Sequence, residues 1–158
     1  GKEKADWTHC FHFSSETPLE RRKCPKGTHH FKAAPVTPIA IRSFPKHASE
    51  PAVQALHWDD EQWERYELIA NAFLQIQLSN YAPRSHGSWH QLGGYGRFQQ
   101  SLPDSLESGE CELFLQIGTD EWASNMMWGD GGELSFLAPT NKLSAGQLDD
   151  LRGDLQCG

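Results

Sequence analysis

Two strand-like runs flank a cluster of glycines near the end of this chain, and no other feature constrains the fold as strongly. The runs are Cys111-Glu-Leu-Phe-Leu-Gln-Ile-Gly-Thr-Asp-Glu121 and Met126-Met-Trp-Gly-Asp-Gly-Gly-Glu-Leu-Ser-Phe-Leu137. Cys111, Leu113, Leu115 and Ile117 alternate onto one face of the first strand, with Phe114 on the other, as in a strand covered on both sides. Leu134, Phe136 and Ala138 resume the alternation. Gly129-Asp-Gly-Gly132 between them supplies the positive φ angles of a tight turn. The pattern predicts an antiparallel strand pair.

Trp7, His9, Phe11 and Phe13 alternate in the same way and predict a strand over residues 7 to 13. Val36 to Phe44 reads as another strand, ended by Pro45, after an irregular connection of about 25 residues. The strongest helix begins near Asp59. Asp59 and Gln62 form a capping-box pattern, and Asp60, Glu61 and Glu64 suit the positive end of a helix. Trp63, Tyr66, Ile69, Phe73 and Ile76 then recur at helical spacing, a stripe expected to pack on a sheet over about five turns. Ser144 with Gln147 predicts a cap for a short C-terminal helix, and Leu155 to Cys157 a last strand. The fold class is therefore α+β: mostly antiparallel sheet, one amphipathic helix packed on a face and a short C-terminal helix, in a single domain over 1–158. Phe73-Leu-Gln-Ile76 recurs as Phe114-Leu-Gln-Ile117, but one copy continues a helical stripe and the other a strand, so it is read as coincidence.

Composition excludes several roles. Six Trp and eight Phe are too many for a disordered chain. The net charge of −7, with no basic cluster longer than Glu20-Arg-Arg-Lys23, excludes a counterion-releasing nucleic-acid face. No apolar run approaches a membrane span, and no signal-peptide pattern opens the chain. Four cysteines without a C-x-x-C pair, and no secretory segment, point to reduced thiols and a cytoplasmic location. The chain starts at Gly1 without Met, as a trimmed protein or a fragment would.

From about Trp7 onward the order of features resembles the C-terminal half of the YwqG-like proteins, a bacterial family with no settled activity. The resemblance is carried by the helix near Tyr66, His90-x-Leu-x-Gly-Tyr95 with Gln100, Leu115-Gln-Ile117, Trp128-Gly-Asp130 and Gly132-x-Leu134-x-Phe136. Gly96 and Gly118 depart from the family's usual Pro and Asp. The resemblance implies two intertwined, mostly β halves, of which only the later is visible here. It therefore implies unpaired sheet edges and uncovered apolar side chains, and hence self-association or a held protein partner.

Candidate chemistry is sparse. Gly93-Gly-Tyr-Gly96 lacks the lysine and the strand-to-helix setting of a phosphate loop and reads as a structural turn. Asp130 beside Trp128 invites an acid–base role, but an Asp in such a turn commonly bonds its own backbone. His9, Cys10, His12, Cys24, His29 and His30 are zinc-ligand types without finger or ribbon spacing, so neither a metal nor another cofactor is expected. No nucleophile elbow occurs. Trp89, His90, Tyr95, Trp128 and Asp130 remain as candidate binding residues. The preferred reading is a non-enzymatic cytoplasmic protein-binding module, with a toxin-neutralising immunity protein as one version. A hydrolase or metal enzyme using Asp130 with a histidine such as His90 is the alternative.

Overall fold

The structure, a computed structural model, describes residues 14–20, 22–28, 30–81 and 90–158. The element order is α1 (Pro51–Gln54), α2 (Asp60–Tyr81), β1 (His90–Leu92), α3 (Asp104–Glu107), β2 (Cys111–Gly118), β3 (Glu133–Pro139), α4 (Thr140–Ser144) and β4 (Arg152–Gln156). The four strands form one antiparallel sheet in the order β1-β2-β3-β4. With the long helix this is the expected α+β class. The strand predicted over residues 7 to 13 lies outside the described residues.

The β2–β3 pair forms, but with a different face pattern. Leu113 is opposite Leu137 and Leu115 is opposite Phe136, so Phe114 is an extra residue in a bulge. The bulge turns Cys111 and Leu113 to one face and Leu115 and Ile117 to the other, where simple alternation had put all four together. Cys111, Leu113 and Leu137 then join Phe98, Leu102 and Leu106 in the buried apolar cluster. Nor does a tight turn join the two strands directly. The connection runs from Thr119 to Gly132 and contains its own bridge between Asp120 and Met126. The predicted positive φ values do occur, at Gly129 and Gly131. Gly132 is fixed by space: a Cβ there would lie 2.1 Å from the Gln156 carbonyl oxygen.

Behind the bulge, the same sheet face is polar. Gln91, Gln116, Ser135 and Asp154 stand opposite one another across the four strands. Gln116 is 0% exposed, a cost unless its amide is fully bonded. Its Oε1 accepts the Arg97 N–H at 2.9 Å, and its Nε2 donates to the Arg97 carbonyl at 2.6 Å and to Ser135 Oγ at 3.0 Å. Gln91 Nε2 donates to the carbonyls of Gly93 and Tyr95, both at 2.8 Å. Gln156 accepts the Gln100 N–H at 3.0 Å and donates to the Ser101 carbonyl at 2.8 Å. Residues 93–101 have little strand pairing of their own, and these three amides give that strap the bonds a neighbouring strand would give.

A fourth glutamine repeats the device outside the sheet. Gln77 on α2 accepts the Arg42 N–H at 2.8 Å and donates to the Arg42 carbonyl at 2.9 Å. Val36 to Phe44 is accordingly not a strand, contrary to expectation. Its backbone is held by a side chain, and Pro35, Pro38 and Pro45 interrupt the row of donors a ladder needs. Ser43 Oγ then accepts the Tyr95 N–H at 3.1 Å, so this segment is tied to both helix and strap.

The α2 capping box is reciprocal, as predicted: Gln62 N–H donates to Asp59 Oδ1 at 2.8 Å and Asp59 N–H to Gln62 Oε1 at 3.0 Å. The buried face differs from the predicted stripe beyond Tyr66. Ala70 and Gln77 are buried, whereas Ile69 is 70% and Ile76 58% exposed. At about 100° per residue, Trp63, Tyr66, Ala70, Leu74 and Gln77 stay on one side, while three-residue steps drift around the helix. The short C-terminal helix is also present, but Ser144 ends it; Thr140 begins it after Pro139.

The amide clamps make a sharp stability prediction. Gln116→Leu leaves the Arg97 N–H and C=O and the Ser135 hydroxyl without that partner and should cost about 3 kcal/mol in denaturant unfolding. Gln99→Ala, which removes a bond from exposed Gln99 to the Gly131 carbonyl, should cost under about 1 kcal/mol.

Candidate functional site

The sequence-selected residues spread over two regions. Trp89 lies outside the described residues. His90 opens β1, and its Nε2 is 4.0 Å from Oδ2 of Asp120. Asp120 is buried, and its Oδ1 accepts the Ala123 N–H at 3.0 Å. The carboxylate the structure sets beside His90 is therefore that of Asp120.

Trp128 and Asp130 belong to the loop before β3. Thr119 organises it: the Thr119 hydroxyl donates to the Gly132 carbonyl at 3.0 Å and accepts the Trp128 N–H at 3.1 Å. Gly132 N–H closes the turn onto the Trp128 carbonyl at 2.6 Å. Asp130 projects from this turn and is exposed. The Trp128 ring meets Phe31 edge-on at 5.5 Å, and its buried Nε1–H has no acceptor among the described residues.

Tyr95 sits elsewhere, on the strap, where it lines the larger of two concavities. The larger, about 410 Å³, is lined chiefly by apolar residues and glycines, including Phe98, Leu106 and Leu113, with Glu50 and Glu112 as its acids. Burial raises the pKa of Glu50, opposed by a hydrogen bond from the Lys46 backbone N–H. Burial and then the Glu50 and Glu112 charges raise Tyr95, and burial with Tyr95 and Glu50 pushes Tyr66 up to about 12. Tyr66 donates its hydroxyl proton to the Pro45 carbonyl at 3.1 Å.

A second cleft, about 270 Å³, was not anticipated from the sequence. It lies between the 45–47 segment, α2, the strap and the start of β3, and its polar lining is Lys46, His47, Glu67, Asn71, Arg97, Gln99 and Glu133. Glu133 is only 7% exposed, and its Oε2 has no hydrogen-bond donor among the described residues. Burial raises its pKa, and Arg97 opposes that. Lys46 Nζ donates to Asn71 Oδ1 at 3.1 Å; burial first, then the Arg97 charge, lowers its pKa. Burial also lowers His47, against the pull of Glu67. Three perturbed groups in one cleft are the pattern of a functional site. In sequence Glu133 is simply the Glu of a β-strand, and only its distance from water marks it.

Neither cleft contains His90 or Asp130. Among the described residues, no three His, Cys, Asp or Glu side chains gather as a metal cluster. Cys24, Cys111 and Cys157 are free thiols. No helix among the described residues is long and apolar enough to cross a membrane.

Two measurements check these assignments. Asp120→Ala should cost about 2 kcal/mol in thermal unfolding, by removing a buried acceptor, while Asp130→Ala at its exposed turn should stay within about 0.5 kcal/mol. Glu133 stays protonated to higher pH in the folded chain than its ordinary 4.5. Its stabilisation is complete below that value and is lost as pH rises through the folded pKa. The stability of wild type relative to Glu133→Gln should therefore fall as pH rises above 4.5; a constant difference would contradict a raised pKa.

No curated protein matches this sequence. The profile of a family described as a domain of unknown function, DUF1963, matches residues 3–157, and the chain belongs to that family.

Proposed function

We propose that this chain is a protein-binding module of the YwqG-like kind, acting in the cytoplasm, with the outward flank of α2 as its contact surface. The observation that carries this reading is the exposure of Leu68, Ile69 and Ile76, at 72%, 70% and 58%, along one side of a helix whose other side is buried. Phe73 borders the same flank. Apolar surface concentrated in this way marks interaction sites in folded proteins. Regular i, i+4 and i+7 anchors suit the packing of a second helix.

Charge selects the kind of partner. Asp59, Asp60, Glu61 and Glu64 make the start of α2 acidic, and its last turn carries no basic residue. Two antiparallel copies of α2 would gain no opposite charges, so a foreign partner with an apolar ridge and a basic rim fits better than a second copy. Neutralisation of a basic toxin is one version of this reading, supported by the −7 net charge. The hydrolase alternative is less well supported, because the larger cleft lacks histidine and contains neither Asp130 nor His90.

A short helical peptide with Leu at i, i+3, i+4 and i+7 and lysines on its flanks tests the surface directly. At low salt it should bind with a Kd in the range of about 1–100 μM, read by amide chemical shifts on α2. Ile69→Glu combined with Ile76→Glu should weaken binding at least about tenfold while leaving stability within about 1 kcal/mol. Light scattering before peptide addition should give 17.8 kDa, the mass of one chain. Equal binding by the double variant would overturn the assigned surface, and a larger starting mass lost in that variant would identify the partner as a second copy.

A further inference from the structure

The cleft at the start of β3 is on the opposite side of α2 from the apolar flank, and it contains a group that protein–protein docking leaves unexplained. Glu133 is more than nine-tenths buried, and Oε2 has no donor among the described residues. A buried acceptor without a partner costs free energy, and a native chain retains one where something else supplies the donor. An N–H-bearing ligand would do so.

The rest of the lining defines that ligand further. Arg97 is fixed at its backbone by both Gln116 bonds, so its side chain extends from an anchored point into the cleft. Lys46 is held by Asn71 in the same wall. Two cations, Arg97 and Lys46, thus share the cleft with two carboxylates, Glu67 and Glu133. A polyanion would meet the acids and a divalent cation would meet the bases, so the balanced set favours neither. It favours a molecule that carries both charges. A volume of about 270 Å³ restricts that molecule to a small one, just below the usual range of about 300–1,000 Å³ for drug-sized ligands.

We infer that this cleft binds a small zwitterion of the free α-amino-acid class, with the ligand's ammonium donating to Glu133 and its carboxylate accepting from Arg97. Lys46, Gln99 and Glu67 complete the polar lining of the same cleft. Burial of Glu133 keeps water from competing at the ammonium end, which strengthens that bond. The inference does not depend on the proposed protein-binding role. Glu67, Ala70 and Asn71 serve the cleft, while Leu68, Ile69 and Ile76 point away from it, so one helix supports two separate surfaces.

The test uses the whole chain and the twenty free L-amino acids singly, with acetate and methylammonium as half-ligand controls, read by amide chemical shifts and by melting temperature. At least one amino acid should bind saturably with a Kd below about 1 mM, shifting residues 46, 97 and 133, while neither control saturates at the same concentration. Arg97→Gln, which leaves the backbone clamp intact, and Glu133→Gln should each weaken that binding at least about tenfold without affecting the basic peptide on α2. Saturable binding of acetate as tight as that of any amino acid would reduce the cleft to an anion site and overturn the proposal. So would the absence of saturation by all twenty, or unchanged affinity in Arg97→Gln, the variant least expected to disturb the fold.

Discussion

A glutamine amide presents one acceptor and a two-proton donor, the same pair of functions that a peptide unit offers its neighbour in a sheet. Gln91, Gln116 and Gln156 use that equivalence to bind the 93–101 strap, and Gln77 uses it to bind residue 42. Everything on the covered side of the sheet depends on these bonds. The strap brings Phe98 and Leu102 over Leu113 and Leu137, completing the apolar cluster, and it positions Tyr95 and Arg97 at the mouths of the two clefts. With apolar residues in place of the amides, the strap's N–H and C=O groups would be buried without partners.

The same arrangement explains why α2 is so unevenly covered. The helix meets the body of the protein through the 41–47 segment, by Gln77, by the Tyr66 hydroxyl and by the ring pair Phe44–Phe73 at 5.4 Å. A single extended segment is narrower than a sheet face. It covers Ala70 and Gln77 and leaves Ile69 and Ile76 in water. The apolar flank that supports a binding role follows from a narrow support under a broadly apolar helix. On the other face of the sheet, Leu92 and Leu155 are also largely exposed on the outer strands.

The clefts show a different dependence. Lys46, His47 and Glu133 are ordinary titratable residues scattered over nearly ninety positions, and each gains its altered proton affinity chiefly from burial in the assembled wall. Asp120 is a comparable case at the sheet end. A bridge with Met126 folds the loop back and places its carboxylate near His90, across a gap of thirty residues. Asp130, beside a conspicuous Trp-Gly pair, stands out in the sequence yet projects to solvent.

Local chemistry was legible from the residues alone. The Asp59–Gln62 capping box, the paired runs either side of the glycine cluster, the positive φ at Gly129 and Gly131, and the α+β class all follow from interactions within a few residues. The face of each element was decided elsewhere. One bulge at Phe114 transferred Leu115 and Ile117 to the opposite side, because side chains in a strand repeat every two residues and one insertion inverts the order. A shift of one position on α2 exchanged Ile69 for Ala70 in the buried face. Glu133 became a site residue only when α2, the strap and the 45–47 segment closed around it. Sequence fixes what each residue can bond to within a turn or a strand; tertiary packing decides which of those groups lose water, and loss of water is what separates a surface charge from a functional one.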